Sequence, residues 1–115
     1  MDKSLLNKIP YEVVENIGLY RLGIFGDCSY ELVELSAEED YPTHYHKDSA
    51  AVFYMILGDG KIILDKKAKQ YRPGDVIHIG KNVKHGFKPK SDTLLLSVQT
   101  PPIKDSKTGK EDIYF

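Results

Sequence analysis

The chain has 115 residues, 41% hydrophobic and 29% charged, which suits a globular protein with one core and leaves too little chain for two. Sixteen basic residues against seventeen acidic ones give a net charge of −1, so the charge balance recommends neither nucleic acid nor an anionic membrane as a partner. The longest unbroken apolar run, residues 50–57, has eight residues, far short of a membrane span and too far along the chain for a signal peptide. Cys28 is the only cysteine, so an internal disulfide is excluded and a reducing cytoplasm is the expected compartment.

Residues 1–18 read as an N-terminal arm: Pro10 interrupts any helix begun at residues 4–8, and residues 11–14 turn strand-like, as an edge strand, before Gly18. From residue 19 onward the pattern is β. Residues 19–25 are rich in aliphatic and aromatic side chains, Gly26-Asp27 is a turn, and residues 28–35 alternate as a half-buried strand should. Cys28 there reads as a small buried hydrophobe. A polar connection over residues 36–42 delivers the chain to Thr43-His44-Tyr45-His46, and Lys47-Asp48-Ser49 turns it again.

Residues 50–57 form the strongest predicted strand. Gly58-Asp59-Gly60 supplies a hairpin turn whose glycines permit positive φ, and residues 61–65 return. Residues 66–69 read as a charged loop tip, Pro73-Gly74-Asp75 as a turn, residues 76–79 as a short strand and Gly80-Lys81-Asn82 as a turn before His85. Residues 93–98 are the last apolar strand, closed by Pro101-Pro102. A polar tail over residues 103–115 ends in Ile113-Tyr114-Phe115, an apolar terminus suited to docking on the barrel wall or on a partner subunit. Short strands at even spacing, punctuated by Gly and Pro with almost no helical periodicity, indicate an all-β sandwich or barrel in a single domain.

The chemistry concentrates in histidines. On an extended strand alternate side chains share a face, so His44 and His46 present two imidazoles in one direction, the arrangement that one metal ion uses. His85 is the candidate third ligand. Asp48 shares the parity of the pair, but the chain turns there. His78 lies on the opposite strand face to Ile77 and Ile79 and reads as a pocket-lining or hydrogen-bonded side chain rather than a ligand.

The two histidine segments resemble the paired motifs of the cupin family. His44-Tyr45-His46, then four residues, then Ala51, then six residues to Gly58, follows the first motif, with Ala51 where the family carries a metal-binding glutamate and Glu38 where it opens with glycine. Gly74, five residues, Gly80-Lys81-Asn82, then Val83-Lys84 and His85, follows the second, with Gly80 and Asn82 in place of its proline and glycine. The resemblance covers about residues 30–100. It implies a double-stranded β-helix, or jelly roll, of two antiparallel sheets, a homodimer formed by strand exchange or by sheet packing, and a metal held by His44, His46 and His85. By the family's register Ala51, Phe53 and Met55 point inward with the histidines, making a largely apolar pocket with His78, while Tyr54 and Ile56 face outward.

Three neutral imidazoles bring no negative charge to a dication, which favours Fe²⁺, Ni²⁺, Zn²⁺, Cu²⁺ or Mn²⁺ over Mg²⁺ and Ca²⁺. They also leave coordination positions open, as catalytic metals require. Two functions follow: a metalloenzyme of dioxygenase or isomerase type acting on a small molecule, or a metal-free cupin that binds a sugar or other small ligand in a regulatory role. His78 and the tyrosines, Tyr54 among them, are the side chains that the sequence offers for acid–base work.

Overall fold

A computed structural model describes residues 8–103 and 111–115. Among them the chain forms ten strands and no helix: β1 (Tyr11–Val14), β2 (Ile17–Phe25), β3 (Cys28–Leu35), β4 (Tyr41–His44), β5 (Ala50–Leu57), β6 (Gly60–Leu64), β7 (Lys67–Tyr71), β8 (Val76–Ile79), β9 (His85–Pro89) and β10 (Thr93–Thr100). They build a six-stranded sheet in the order β1-β2-β3-β10-β5-β8 and a four-stranded sheet in the order β4-β9-β6-β7, every pair antiparallel. After β3 the chain passes back and forth between the sheets, winding a jelly-roll barrel.

Alternation along the strands places the core between the sheets. In β5, Ala51, Phe53 and Met55 are buried while Tyr54 and Ile56 are exposed, and in β8 Ile77 and Ile79 are buried while Val76 and His78 are exposed. Ile62 of β6 and Leu95 of β10 are fully buried, and Phe87 of β9 and Tyr71 of β7 join the same cluster. Burying a side chain of that size contributes roughly 1.5–3 kcal/mol, so these four anchor the contact between sheets.

Local chemistry fixes the turns. Gly58, at φ 91°, has the Asp92 carbonyl oxygen 2.3 Å from where a Cβ would stand, so only glycine fits. Asn82, at φ 64°, fills the left-handed position of the second motif's turn at little cost, because asparagine tolerates that region. Glu38 is also left-handed, at φ 63°, so the glutamate at the first motif's opening glycine keeps glycine's conformation without glycine's freedom.

Three elements differ from the sequence reading. Residues 67–71 form strand β7 rather than a loop tip: four of its five side chains are exposed and show no apolar alternation, yet every residue pairs with β6. Residues 85–89 form β9, which carries His85 into the middle of the small sheet. Cys28 is half-buried at the β2–β3 turn, with its sulfur 3.0 Å from the Thr100 hydroxyl, rather than in the core.

Candidate metal centre

His44 closes β4, His85 opens β9, and the two are register partners across that pair. His46 lies two residues beyond the end of β4, where the backbone stays extended because Tyr45 exchanges two hydrogen bonds with Tyr114 (2.8 and 2.9 Å). The parity argument therefore survives the end of the strand. The rings converge, with centroids 5.2 Å apart for His44 and His46, 4.3 Å for His44 and His85, and 5.1 Å for His46 and His85. One ring nitrogen from each lies within 4.8 Å of the others.

Each ring is oriented by a main-chain acceptor. His46 Nδ1 is 2.5 Å from the Asp112 carbonyl oxygen and His85 Nδ1 is 3.0 Å from that of Val83. A carbonyl only accepts, so both rings carry their proton on Nδ1 and keep the Nε2 lone pair free. His44 is hydrogen-bonded to the Pro42 main chain. Orientation of this kind is what metal-bound histidines need from their surroundings. His85 Nε2 is buried and has no partner among the described residues. An unmet acceptor in the interior costs free energy, which a bound ion would remove.

Burial, reinforced by the neighbouring imidazoles, pushes His44 down from 6.5 to about 4 and His85 down to about 3. Both are neutral at physiological pH, the form in which an imidazole can bind a metal. Two bonds of about 2.1 Å to one ion span at most about 4.2 Å, so small ring rotations bring the three nitrogens to a common metal. The residues fit a three-histidine ion. Among the described residues no carboxylate joins the group. Asp48, the possible substitute, is exposed beyond the turn, where its main-chain N–H bonds to Asp112 instead.

The C-terminal segment closes over this cluster. The Asp112 carboxylate accepts from the main-chain N–H groups of Lys47, Asp48 and Ser49 at 2.9, 2.7 and 3.0 Å. Burial works to raise its pKa, but those three donors, helped by His46, hold it below the ordinary value. Tyr114 stacks on Tyr45, and Phe115 tilts against His44 with centroids 5.8 Å apart. The apolar terminus thus docks on the barrel of its own chain. Nothing in the sequence ties Asp112 to His46, 66 residues earlier.

Beside the histidines lies a cavity of about 100 Å³. Its wall includes His44, His46, His85, Phe53, Phe87 and Leu95, and the C-terminal segment adds Glu111, Ile113 and Phe115. Of the inward residues expected to line it, Phe53 does, whereas Ala51 and Met55 are buried in the core alongside it. His78 is corrected outright. Its strand phase turns it to the outer face, where it is exposed opposite Val52, away from the cavity. Tyr54, also on that face and 43% exposed, cannot serve chemistry in the cavity either.

Sequence reasoning missed the polar part of the wall. Arg21, Glu31, Ser97 and Gln99 line the same cavity from β2, β3 and β10. The signal was present: Glu31 shares its strand phase with Val33 and Leu35, and Ser97 and Gln99 share theirs with Leu95. An acidic residue on a buried phase marks either a pair or a site.

Comparison with known proteins agrees with this geometry. The family pattern described as a cupin domain matches residues 31–98. No curated protein matches the chain. Among solved structures, Streptomyces Pac13, described as a nucleoside dehydratase, superposes with a TM-score of 0.76 at 15% identity, covering 94% of this chain and 84% of its own. Ectoine synthase from P. lautus gives 0.76 at 19% identity, covering 89% and 79%, and a predicted oxalate decarboxylase from Thermotoga maritima gives 0.71 at 16%, covering 84% and 96%. Identities this low speak for the fold alone. With the family pattern spanning more than half its length and three of its four histidines gathered at the barrel's small sheet, the chain belongs to the cupin family.

Proposed function

We propose that this cupin holds a divalent transition metal on His44, His46 and His85 and acts as a small metalloenzyme on a small molecule bound in the adjoining cavity. The observation that carries the reading is the Nε2 of buried His85, without a partner among the described residues and set among two further imidazoles that are themselves oriented by main-chain carbonyls. The all-imidazole donor set favours Fe²⁺, Ni²⁺, Zn²⁺, Cu²⁺ or Mn²⁺. Such an ion supplies Lewis acidity, or O₂ activation if it is redox-active.

The chain's own residues do the rest. Phe53, Phe87 and Leu95 keep the wall beside the imidazoles apolar and exclude water. Asp112 anchors the segment that orients His46. Pac13 has been seen with uridine, and the other similar structures are named for small-molecule chemistry, which supports a small organic ligand here.

A second reading has its own support. Ala51 brings no carboxylate to the place where the family has its glutamate, and a metal-free cupin that binds a small ligand has no use for one. Titration of metal-free protein with Co²⁺ separates the two, because nitrogen-bound cobalt of low coordination number absorbs visible light strongly. A saturable absorption at one ion per chain supports the metalloenzyme, and a featureless titration supports the metal-free binder.

The outer face of the six-stranded sheet is read as the homodimer contact. Tyr54, Ile56 and Val76 are 43%, 40% and 49% exposed there, and Tyr54 is register partner to both Val76 and Leu96. Aromatic and aliphatic side chains side by side on a sheet face suit a second copy of the same face.

A further inference from the structure

The inner face of the large sheet is polar on one side only. Across the strands, Arg21 is register partner to Glu31, Glu31 to Ser97, Ser97 to Phe53 and Phe53 to Ile77, so one row runs from charged to apolar. In the next row Ser29 pairs with Gln99 and Gln99 with Ala51. Gln99 has both amide donors committed, to Glu31 at 2.8 Å and to Ser97 at 2.7 Å, and its oxygen accepts from Ser29. Glu31, whose side chain is 8% exposed, also accepts from Arg21. A carboxylate offers about four acceptor sites, so two such partners leave capacity for a ligand. Ser97 accepts from Gln99, and its own O–H has no acceptor among the described residues.

We propose that Glu31 and Ser97, held in place by Arg21 and Gln99, form a recognition subsite for the hydroxyl groups of a neutral polyol or sugar-like ligand, across the cavity from the three histidines. The inference rests on reading the cavity as the ligand site. A hydroxyl donates to Glu31 and accepts from Ser97, meeting both free capacities at once. A carboxylate or phosphate is disfavoured at this end of the cavity, away from the three histidines. Arg21 is shared among Glu12, Glu31 and Glu111, and one guanidinium against three carboxylates leaves two net negative charges. An ammonium ligand would satisfy Glu31 but give Ser97 no acceptor. With the C-terminal segment seated, the cavity of about 100 Å³ limits the bound part to a few heavy atoms.

The test is saturation-transfer NMR with a set of neutral polyols and monosaccharides, from erythritol to glucose, against size-matched carboxylates and amines. It uses wild-type protein, Glu31→Gln and Ser97→Ala, and the metal content of each sample is measured alongside. The subsite predicts binding of at least one polyol and, in protein stripped of metal, no size-matched carboxylate. It also predicts affinity lower by about tenfold in Glu31→Gln, the loss of one charge-assisted hydrogen bond, and lower by a smaller factor in Ser97→Ala. Metal content should be unchanged in both variants. Should Glu31→Gln fail to fold because Arg21 loses its one buried carboxylate, Ser97→Ala alone decides. Carboxylates or amines bound in preference, no polyol bound at millimolar concentration, or polyol affinity unchanged in the variants would overturn the subsite. Metal retained without polyol binding counts against this inference alone, and polyol binding through Glu31 in a chain that holds no metal counts against the metalloenzyme alone.

Discussion

The Nδ1 of His46 donates to the main-chain oxygen of Asp112 across 2.5 Å, joining a residue of the first cupin motif to the fourth residue from the end of the chain. The same Asp112 caps three consecutive main-chain N–H groups, those of Lys47, Asp48 and Ser49. The C-terminal segment is therefore part of the site: it sets the ring orientation of one histidine and the path of the loop that follows it.

Asp112→Ala should consequently weaken metal retention without touching a ligand. The variant keeps the main-chain oxygen that accepts from His46 and loses only the cap on residues 47–49, so the loss should stay at or below about 10–100-fold, the cost of removing an orienting partner. Competition against a chromophoric chelator measures this, and His46→Ala gives the limit of complete loss. An affinity in Asp112→Ala equal to wild type would show that the loop holds its shape without the cap.

Stability of the metal-free protein should depend on pH through the buried imidazoles. His44 and His85 sit at about 4 and about 3 when folded, against 6.5 in an exposed chain. Between those values the unfolded chain binds protons that the folded chain refuses, so unfolding free energy falls as pH drops from about 6.5 toward about 3 and is fully present above that window. Urea midpoints measured across it should decline, and the slope should be shallower in His85→Leu. Protons also compete with the ion for the same nitrogens, so bound metal should be released over the acidic range.

Two turn positions should respond in opposite directions. Glu38→Gly relieves a left-handed glutamate and should add about 0.5–1 kcal/mol, once the extra freedom of glycine in the unfolded chain is offset. Gly58→Ala drives a methyl group into the Asp92 carbonyl at a positive φ and should cost about 2 kcal/mol or more. Thermal unfolding of both variants checks the pair.

Charge on the outer sheet face should separate the homodimer. Tyr54→Asp places a carboxylate beside Val76 and Leu96, where pairing of two copies would bury it unpaired. Sedimentation should find dimers in wild type and folded monomers in the variant. A wild-type monomer would leave that face without the proposed partner.

Much of the fold was legible because its punctuation is local. Glycine, asparagine and proline turns mark most strand ends, whereas residues 50–57 are an unbroken apolar run whose facing came from the cupin resemblance and not from any alternation of its own. The three-histidine cluster was legible through spacing and motif: an extended backbone carries His44 and His46 to one side even where the strand stops at His44, and His85 stood at the histidine of the second motif. What escaped depends on contacts between distant residues. Strand β7 holds its place through pairing with β6 rather than through an apolar face, so residues 66–69 look like a loop tip. The orienting role of Asp112 and the polar group of Arg21, Glu31, Ser97 and Gln99 exist only after distant strands and the C-terminal segment are brought together. His78 was misplaced because proximity to the second motif counted for more than its strand phase, which its neighbours Ile77 and Ile79 already declared.

The most direct measurement is the metal content of purified wild-type protein, His46→Ala and His85→Ala by mass spectrometry, after incubation with Fe²⁺, Ni²⁺ or Zn²⁺ and removal of the excess. Three oriented neutral imidazoles predict close to one ion per wild-type chain and its loss in both variants, each of which keeps only two ligands. Wild-type protein with less than about a tenth of an ion per chain, no different from the variants, would contradict the metal centre, since intact ligand sets bind such ions tightly.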